Sequence, residues 1–340
     1  MRAPWRTSAA SWSAGWCWPF TWGVLDRLLE DERIAIEGIS GTSAGALSAA
    51  LLIQGYLEGG TPAARASLDR LWNRTAEVGW LSPVHRSWVE RMQGTWNLDA
   101  SLAALWVDQI SLLMSPDQSN PVGLSPTRTL LQEMLDCTVL RSDDAIRIYV
   151  AATNVRTGKA RIFDNADVSI DALVASGCLP QFFPAVEIDG EHYWDGGYLG
   201  NPAILPLIYR CQSRDIIIVE TTPLTRPELP RTAAEILARM NEITFNASLI
   251  SDLRSIAFAS RLVAEGNASG PDIERLHKTR IHLIEASETM KTLGSVSQLN
   301  TDADFLLYLK ELGRSTADQW LADHFGALGH RSSIDLARFL

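Results

Sequence analysis

This 340-residue sequence has no apolar run long enough to cross a bilayer, no paired metal-ligand spacing and no surplus of basic charge. Each absence removes a class of function. A spanning helix needs about 20 consecutive apolar residues, so an integral membrane protein is not expected. The four cysteines, Cys17, Cys137, Cys178 and Cys211, are widely spaced and form no C-x-x-C pair. Free thiols and a reducing, cytoplasmic compartment are expected instead. Six histidines include no H-E-x-x-H and no Cys/His cluster, which leaves no candidate metal ligands and no cofactor motif. With 30 basic against 40 acidic side chains, a formal charge of −10, there is no basic stripe for nucleic acid. The amino-terminal stretch Met1–Trp18 lacks the clean apolar core and small-residue cleavage site of a signal peptide.

What the sequence does contain is an ordinary globular balance, 46% apolar and 21% charged, enough for a large core. The chain is organised around Gly41-Thr42-Ser43-Ala44-Gly45. Before it, Ile34–Ile39 alternates like a buried strand; after it, Ala44–Leu52 reads as a helix of small residues. A serine on a sharp strand-to-helix turn is the arrangement of a nucleophile elbow, with Ser43 as the candidate nucleophile. Gly41 and Gly45 remove side chains that would collide there. The helix N-terminus at Ala44 presents backbone N–H groups to developing negative charge. The pentapeptide by itself also fits a glycine-rich turn with a helix-capping serine.

Taken in order, Phe20–Asp31 predicts an amphipathic helix with Val24, Leu25, Leu28 and Leu29 on one face. No convincing buried strand precedes it. Gly59–Pro62 breaks the helix after the elbow, and Pro62–Thr75 resumes helical spacing. Residues 76–127 carry Trp80, Trp88, Trp96 and Trp106 and read as a lid-like insertion, either a rim that meets lipid or tryptophans packed in the core. Ile146–Thr153 predicts a strand, Ser169–Ser176 a short helix, and Val186–Trp194 a hairpin turning at Asp189-Gly190. Asp215–Glu220 predicts a strand buried on both faces, as in a parallel sheet. Beyond Pro230 the chain is mostly helical, interrupted at Arg280–Glu285. Strands alternating with helices make the expected class α/β.

A nucleophilic serine needs a base. Asp195, delivered by the hairpin onto Gly196-Gly197, is the candidate, although Asp-Gly-Gly is also a common turn. Gly41–Gly45 followed by Asp195-Gly196-Gly197, with Ser176–Pro180 and Phe183-Pro184 between them, resembles the patatin-like phospholipases. The resemblance covers most of residues 20–225. It implies a three-layer α/β/α fold with a central, mostly parallel sheet, hydrolysing lipid acyl esters by a Ser43–Asp195 dyad through an acyl-enzyme. A phospholipid or other lipid ester would be the substrate, with peripheral membrane contact. On this reading residues 1–225 form the hydrolase domain and 226–340 a helical extension packed on it. The family's glycine-rich oxyanion strip corresponds to Ser13–Trp18, where only Gly15 matches. Two rivals remain. One is an α/β-hydrolase esterase completing a triad with His324 or His330, for which Ser43 lies early in the chain. The other is a non-catalytic lipid-binding or scaffold protein. Oligomeric state is not legible.

Overall fold

A computed structural model describes residues 5–11, 18–79, 92, 96, 115–120, 125–142, 146–226, 228–285, 293 and 300–340. Among them, eight strands form one sheet in the order β5-β6-β3-β2-β1-β7-β8, with β4 also paired to β3. The strands are β1 Trp5–Ser11, β2 Ile34–Gly41, β3 Arg147–Asn154, β4 Lys159–Phe163, β5 Val186–Ile188, β6 Glu191–Asp195, β7 Asp215–Glu220 and β8 Arg280–Glu285. From β3 to β8 along this path all neighbours are parallel, while β4 and β6 each pair antiparallel with β3, and β5 pairs antiparallel with β6.

Among the described residues, the α-helices of six residues or more are α1 (Trp18–Glu30), α2 (Ala44–Gly79), α3 (Pro126–Met134), α4 (Ile170–Ser176), α5 (Leu205–Arg210), α6 (Ala233–Ala264), α7 (Pro271–His277) and α8 (Ala303–His324). The sheet is covered on both faces, and β7 shows how. Its Ile217 and Val219 join α1 and α8 in one apolar cluster, while Ile216 and Ile218 join α5 and α6 in another. The period of two along a strand sends alternate side chains to opposite layers, so a strand in mid-sheet reads as a continuous apolar run. The fold is the expected three-layer α/β/α arrangement.

Two sequence expectations need correction. The segment before α1 does form a strand: β1 lies between β2 and β7 and is parallel to both. Its Thr-Ser-Ala-Ala-Ser run has no apolar alternation. The strand is held by ladders along both edges and by a hydrogen bond from the buried Thr7 hydroxyl to the Asp215 carbonyl, 3.1 Å. Helix α1 was expected to bury one face and buries nearly its whole circumference. Phe20, Val24 and Leu28 pack against α8, while Trp22, Leu25 and Leu29 face α2. Asp26 is tolerated there because Arg65, at 2.7 Å, and Arg314 both pair with it, tying α1 to α2 and α8.

The break at Gly59-Gly60 is present as a kink within α2, with Gly60 at φ +70°. The hairpin turns at Asp189-Gly190, both at positive φ, as a two-residue type I′ loop requires. Of the tryptophans in 76–127, Trp80, Trp88 and Trp106 lie outside the described residues. Trp96 is half-buried and stacks on Phe305 and Tyr308, at 5.1 and 5.2 Å. No helix among the described residues is long and apolar enough to cross a membrane.

Candidate active site

Strand β2 ends at Gly41 and α2 starts at Ala44, leaving Thr42 and Ser43 to make the turn. Ser43 takes φ +55°, a left-handed conformation costing a residue with a side chain about 1–3 kcal/mol. Surrounding hydrogen bonds hold it. The Ser43 N–H donates to Ser176 Oγ at 2.9 Å, and its carbonyl accepts from Ala46 and Leu47. At Gly41 a Cβ would lie 2.5 Å from the Gly45 carbonyl group, so the strand and helix approach closely only because the side chain is missing. The result is a serine at the C-terminal end of a central strand and the N-terminus of a buried helix.

Asp195 is the last residue of β6, whose antiparallel pairing with β3 brings it to the same end of the sheet. Its N–H donates to the Cys178 carbonyl at 2.8 Å, and its own carbonyl accepts the Thr153 hydroxyl at 2.8 Å. The carboxylate accepts from the Gly197 N–H at 2.6 Å and from the Ser43 hydroxyl. Gly196 is obligatory, since a Cβ there would lie 2.1 Å from the Ala151 carbonyl oxygen. Burial raises the Asp195 carboxyl to about 7, while the hydrogen bonds from Gly197 and Ser43 pull the other way. Two side chains 152 positions apart, Ser43 and Asp195, are thus in direct contact, with a carboxylate poised near neutral pH.

A cavity of about 240 Å³ opens in front of Ser43. Leu47, Leu173, Val174, Phe183 and Val186 give it an apolar wall, and Arg128 and Glu187 lie at its polar side. Arg128 is ion-paired with Asp171. The Cys178 thiol is also on the lining. Burial first, then the Asp195 charge, push its thiol up to about 12, so it stays neutral beside the Pro184 carbonyl.

The structure therefore brings Ser43, Gly41, Ala44, Gly45, Asp195, Gly196 and Gly197 together. Gly15 lies outside the described residues, although the strand leading to it ends with Ser11 paired to Gly41, beside the elbow. Neither His324 nor His330 lines the Ser43 cavity among the described residues. His324 packs next to Trp320 at the end of α8. The buried histidine that does touch a carboxylate, His282, is 3.0 Å from Asp215 at the start of β7, the end of the sheet opposite Ser43. Sequence reasoning gave no role to the hydroxyls of Thr42, Thr153 and Ser176, which hold the two motifs. Their one signal is a hydroxyl next to, or paired across from, a functional residue.

The patatin-like phospholipase family model matches residues 17–208, which is 192 of the 340 positions and includes both Ser43 and Asp195. The chain belongs to the patatin-like phospholipase family. It is a family of lipid acyl hydrolases. Among solved structures, this patatin-like chain is similar to VipD from Legionella pneumophila, at 14% identity over 94% of this chain and 67% of that one, with a TM-score of 0.40. No curated protein sequence matches it.

Proposed function

We propose that this patatin-like chain hydrolyses lipid acyl esters with Ser43 as nucleophile and Asp195 as its base. The observation that carries this reading is the hydrogen bond from Ser43 to a buried carboxyl raised to about 7. In the attack, Asp195 takes the hydroxyl proton while Ser43 Oγ bonds the ester carbonyl carbon. The tetrahedral intermediate collapses to an acyl-enzyme, and the departing alkoxide receives the proton from Asp195. Water, deprotonated by the same carboxylate, then attacks the acyl carbonyl; the Ser43–acyl bond breaks as Asp195 returns the proton to Ser43 Oγ, and the fatty acid leaves. The Ala44 N–H, next after the nucleophile at the helix start, is the proposed oxyanion donor on the elbow, with Gly15 as its partner.

Residues 1–225 serve as the hydrolase unit, and 226–340 pack on it while supplying β8 and α8. Lipid contact is assigned to the start of α6. There Glu242 pairs with Arg226 at 2.6 Å and Arg239 reaches the Pro223 and Leu224 carbonyls, so the polar flank is held against the protein. Ile236, Leu237, Met240 and Ile243 are left between 44% and 58% exposed. The same helix reaches the dyad loop, where the Phe245 ring lies against Gly197.

Ser43→Ala and Asp195→Asn are each expected to abolish hydrolysis of a lipid ester and to leave the fold intact. Because the two groups act as one unit, the double variant should be little slower than either single one. An Asp195→Asn enzyme with near-native turnover would defeat the assignment. A fluorophosphonate probe that leaves Ser43 unlabelled would favour the non-catalytic lipid-binding reading.

A further inference from the structure

The segment Ser176-Gly177-Cys178 touches both proposed catalytic residues at once. Ser176 closes α4 and is fully buried, and its Oγ accepts the Ser43 N–H at 2.9 Å. Gly177 comes next, and a Cβ added to it would lie 3.3 Å from Ser43 Oγ. The Cys178 carbonyl then accepts the Asp195 N–H at 2.8 Å.

We infer that these three residues form a strap that sets the separation of nucleophile and base, with Ser176 as its positioning residue. The inference rests on the Ser43–Asp195 reading of the site. Both ends of the strap are anchored. Upstream, α4 is capped by Ser169, which accepts the Ala172 N–H at 3.1 Å, and Ala172, Leu173, Val174 and Ala175 are all buried. Downstream, the Cys178 thiol donates to the Pro184 carbonyl at 3.1 Å. Between these anchors the Ser176 hydroxyl is the acceptor for a buried backbone donor of a residue in the left-handed region. Without it, Ser43 can relax toward an ordinary backbone conformation and carry its hydroxyl away from Asp195. The backbone of the base would stay where Cys178 holds it.

The test is steady-state kinetics and a pH profile on Ser176→Ala, Ser176→Thr and Gly177→Ala, each with a thermal melt. A displacement of about 1 Å at a reacting centre can lower rate ~10²-fold. Ser176→Ala is therefore expected to lower kcat about 10- to 100-fold with little change in KM. It should also move the acid limb of kcat/KM to higher pH, because the Ser43 hydrogen bond holds the Asp195 carboxyl down and its loss lets that value rise. A merely structural serine would not move that limb. Ser176→Thr keeps the hydroxyl and should restore both kcat and the limb.

If Ser176→Ala does not fold, Gly177→Ala decides. Its φ of −110° suits alanine, so its only effect is the methyl group against Ser43 Oγ, and kcat should fall with an unchanged melt. Native kcat and pH profile in Ser176→Ala, or in Gly177→Ala where that variant decides, would overturn the strap. So would equal loss in folded Ala and Thr variants of Ser176. Loss of hydrolysis in Ser43→Ala and Asp195→Asn with a normal Ser176→Ala refutes the strap alone. Persistence of hydrolysis in Ser43→Ala or Asp195→Asn refutes the dyad beneath it.

Discussion

The Thr42 hydroxyl donates to the Gly200 carbonyl at 2.6 Å, joining the elbow to the loop just beyond Asp195 across 158 positions. Thr42 is fully buried. Replacing it with valine keeps the shape and strands the Gly200 acceptor, a change that typically costs about 1–3 kcal/mol. Urea unfolding of Thr42→Val should show that loss as a lower midpoint at unchanged slope. An unshifted midpoint would mean that the bond contributes nothing to the native state.

The raised Asp195 carboxyl makes opposite demands on activity and stability. As base it must be ionised, so kcat/KM should rise with pH through about 7 and level off above it. For stability, the native carboxyl holds its proton up to about 7, whereas in the unfolded chain it ionises near its ordinary 3.8. Between those values the native state binds more protons, so its advantage is whole below about 3.8 and declines as pH rises toward 7. Asp195→Asn, uncharged and of similar shape, should therefore be more stable than the native chain at pH 8. That gain should shrink at pH 5. Parallel thermal melts at the two pH values check the sign, and a variant less stable at pH 8 refutes it.

Turnover should be limited by the stretch Ser13–Trp18, where Trp16 and Trp18 stand in place of a small residue and a glycine of the family strip and Cys17 in place of its basic residue. Loss of one oxyanion donor typically lowers turnover ~10²–10³-fold. Rebuilding Ser13–Pro19 as Gly-Gly-Gly-Ala-Arg-Gly-Ala is expected to raise kcat on a short-chain ester far more than it changes KM, because such donors act mainly on the transition state. No gain in kcat would show that the hole is supplied elsewhere.

The exposed arc on α6 gives a separate prediction. Ile236→Ser together with Met240→Ser should weaken sedimentation with phosphatidylcholine vesicles, because each buried side chain of this size contributes about 1.5–3 kcal/mol. Hydrolysis of a water-soluble ester should be unaffected. Equal vesicle binding by native and variant protein would place lipid contact on another surface.

Much of the site was legible because its parts are local. Gly41–Gly45 and Asp195-Gly196-Gly197 each encode their own turn, and Asp189-Gly190 carries the left-handed preference that folds the hairpin. The all-apolar Ile-Ile-Ile-Val run announces β7. The roles of the Ser176, Thr42 and Thr153 hydroxyls were invisible because a hydroxyl takes its role from what lies opposite, and that is fixed only when distant segments meet. Strand β1 was missed for a related reason. Serine, threonine and alanine carry no periodic signal, and the ladders that hold the strand come from residues far along the chain.

That last arrangement sets an order of events at the ribosome. Thr7 meets Asp215 208 positions later, a delay of roughly 10–40 s at synthesis rates of about 5–20 residues per second. Throughout that interval β1 can pair with β2 along one edge, while its other edge has no partner from its own chain. An unprotected strand edge is a template for pairing between molecules. Completion of β7 covers that edge of β1 and passes the open edge to β7 itself, where it stays until β8 is made.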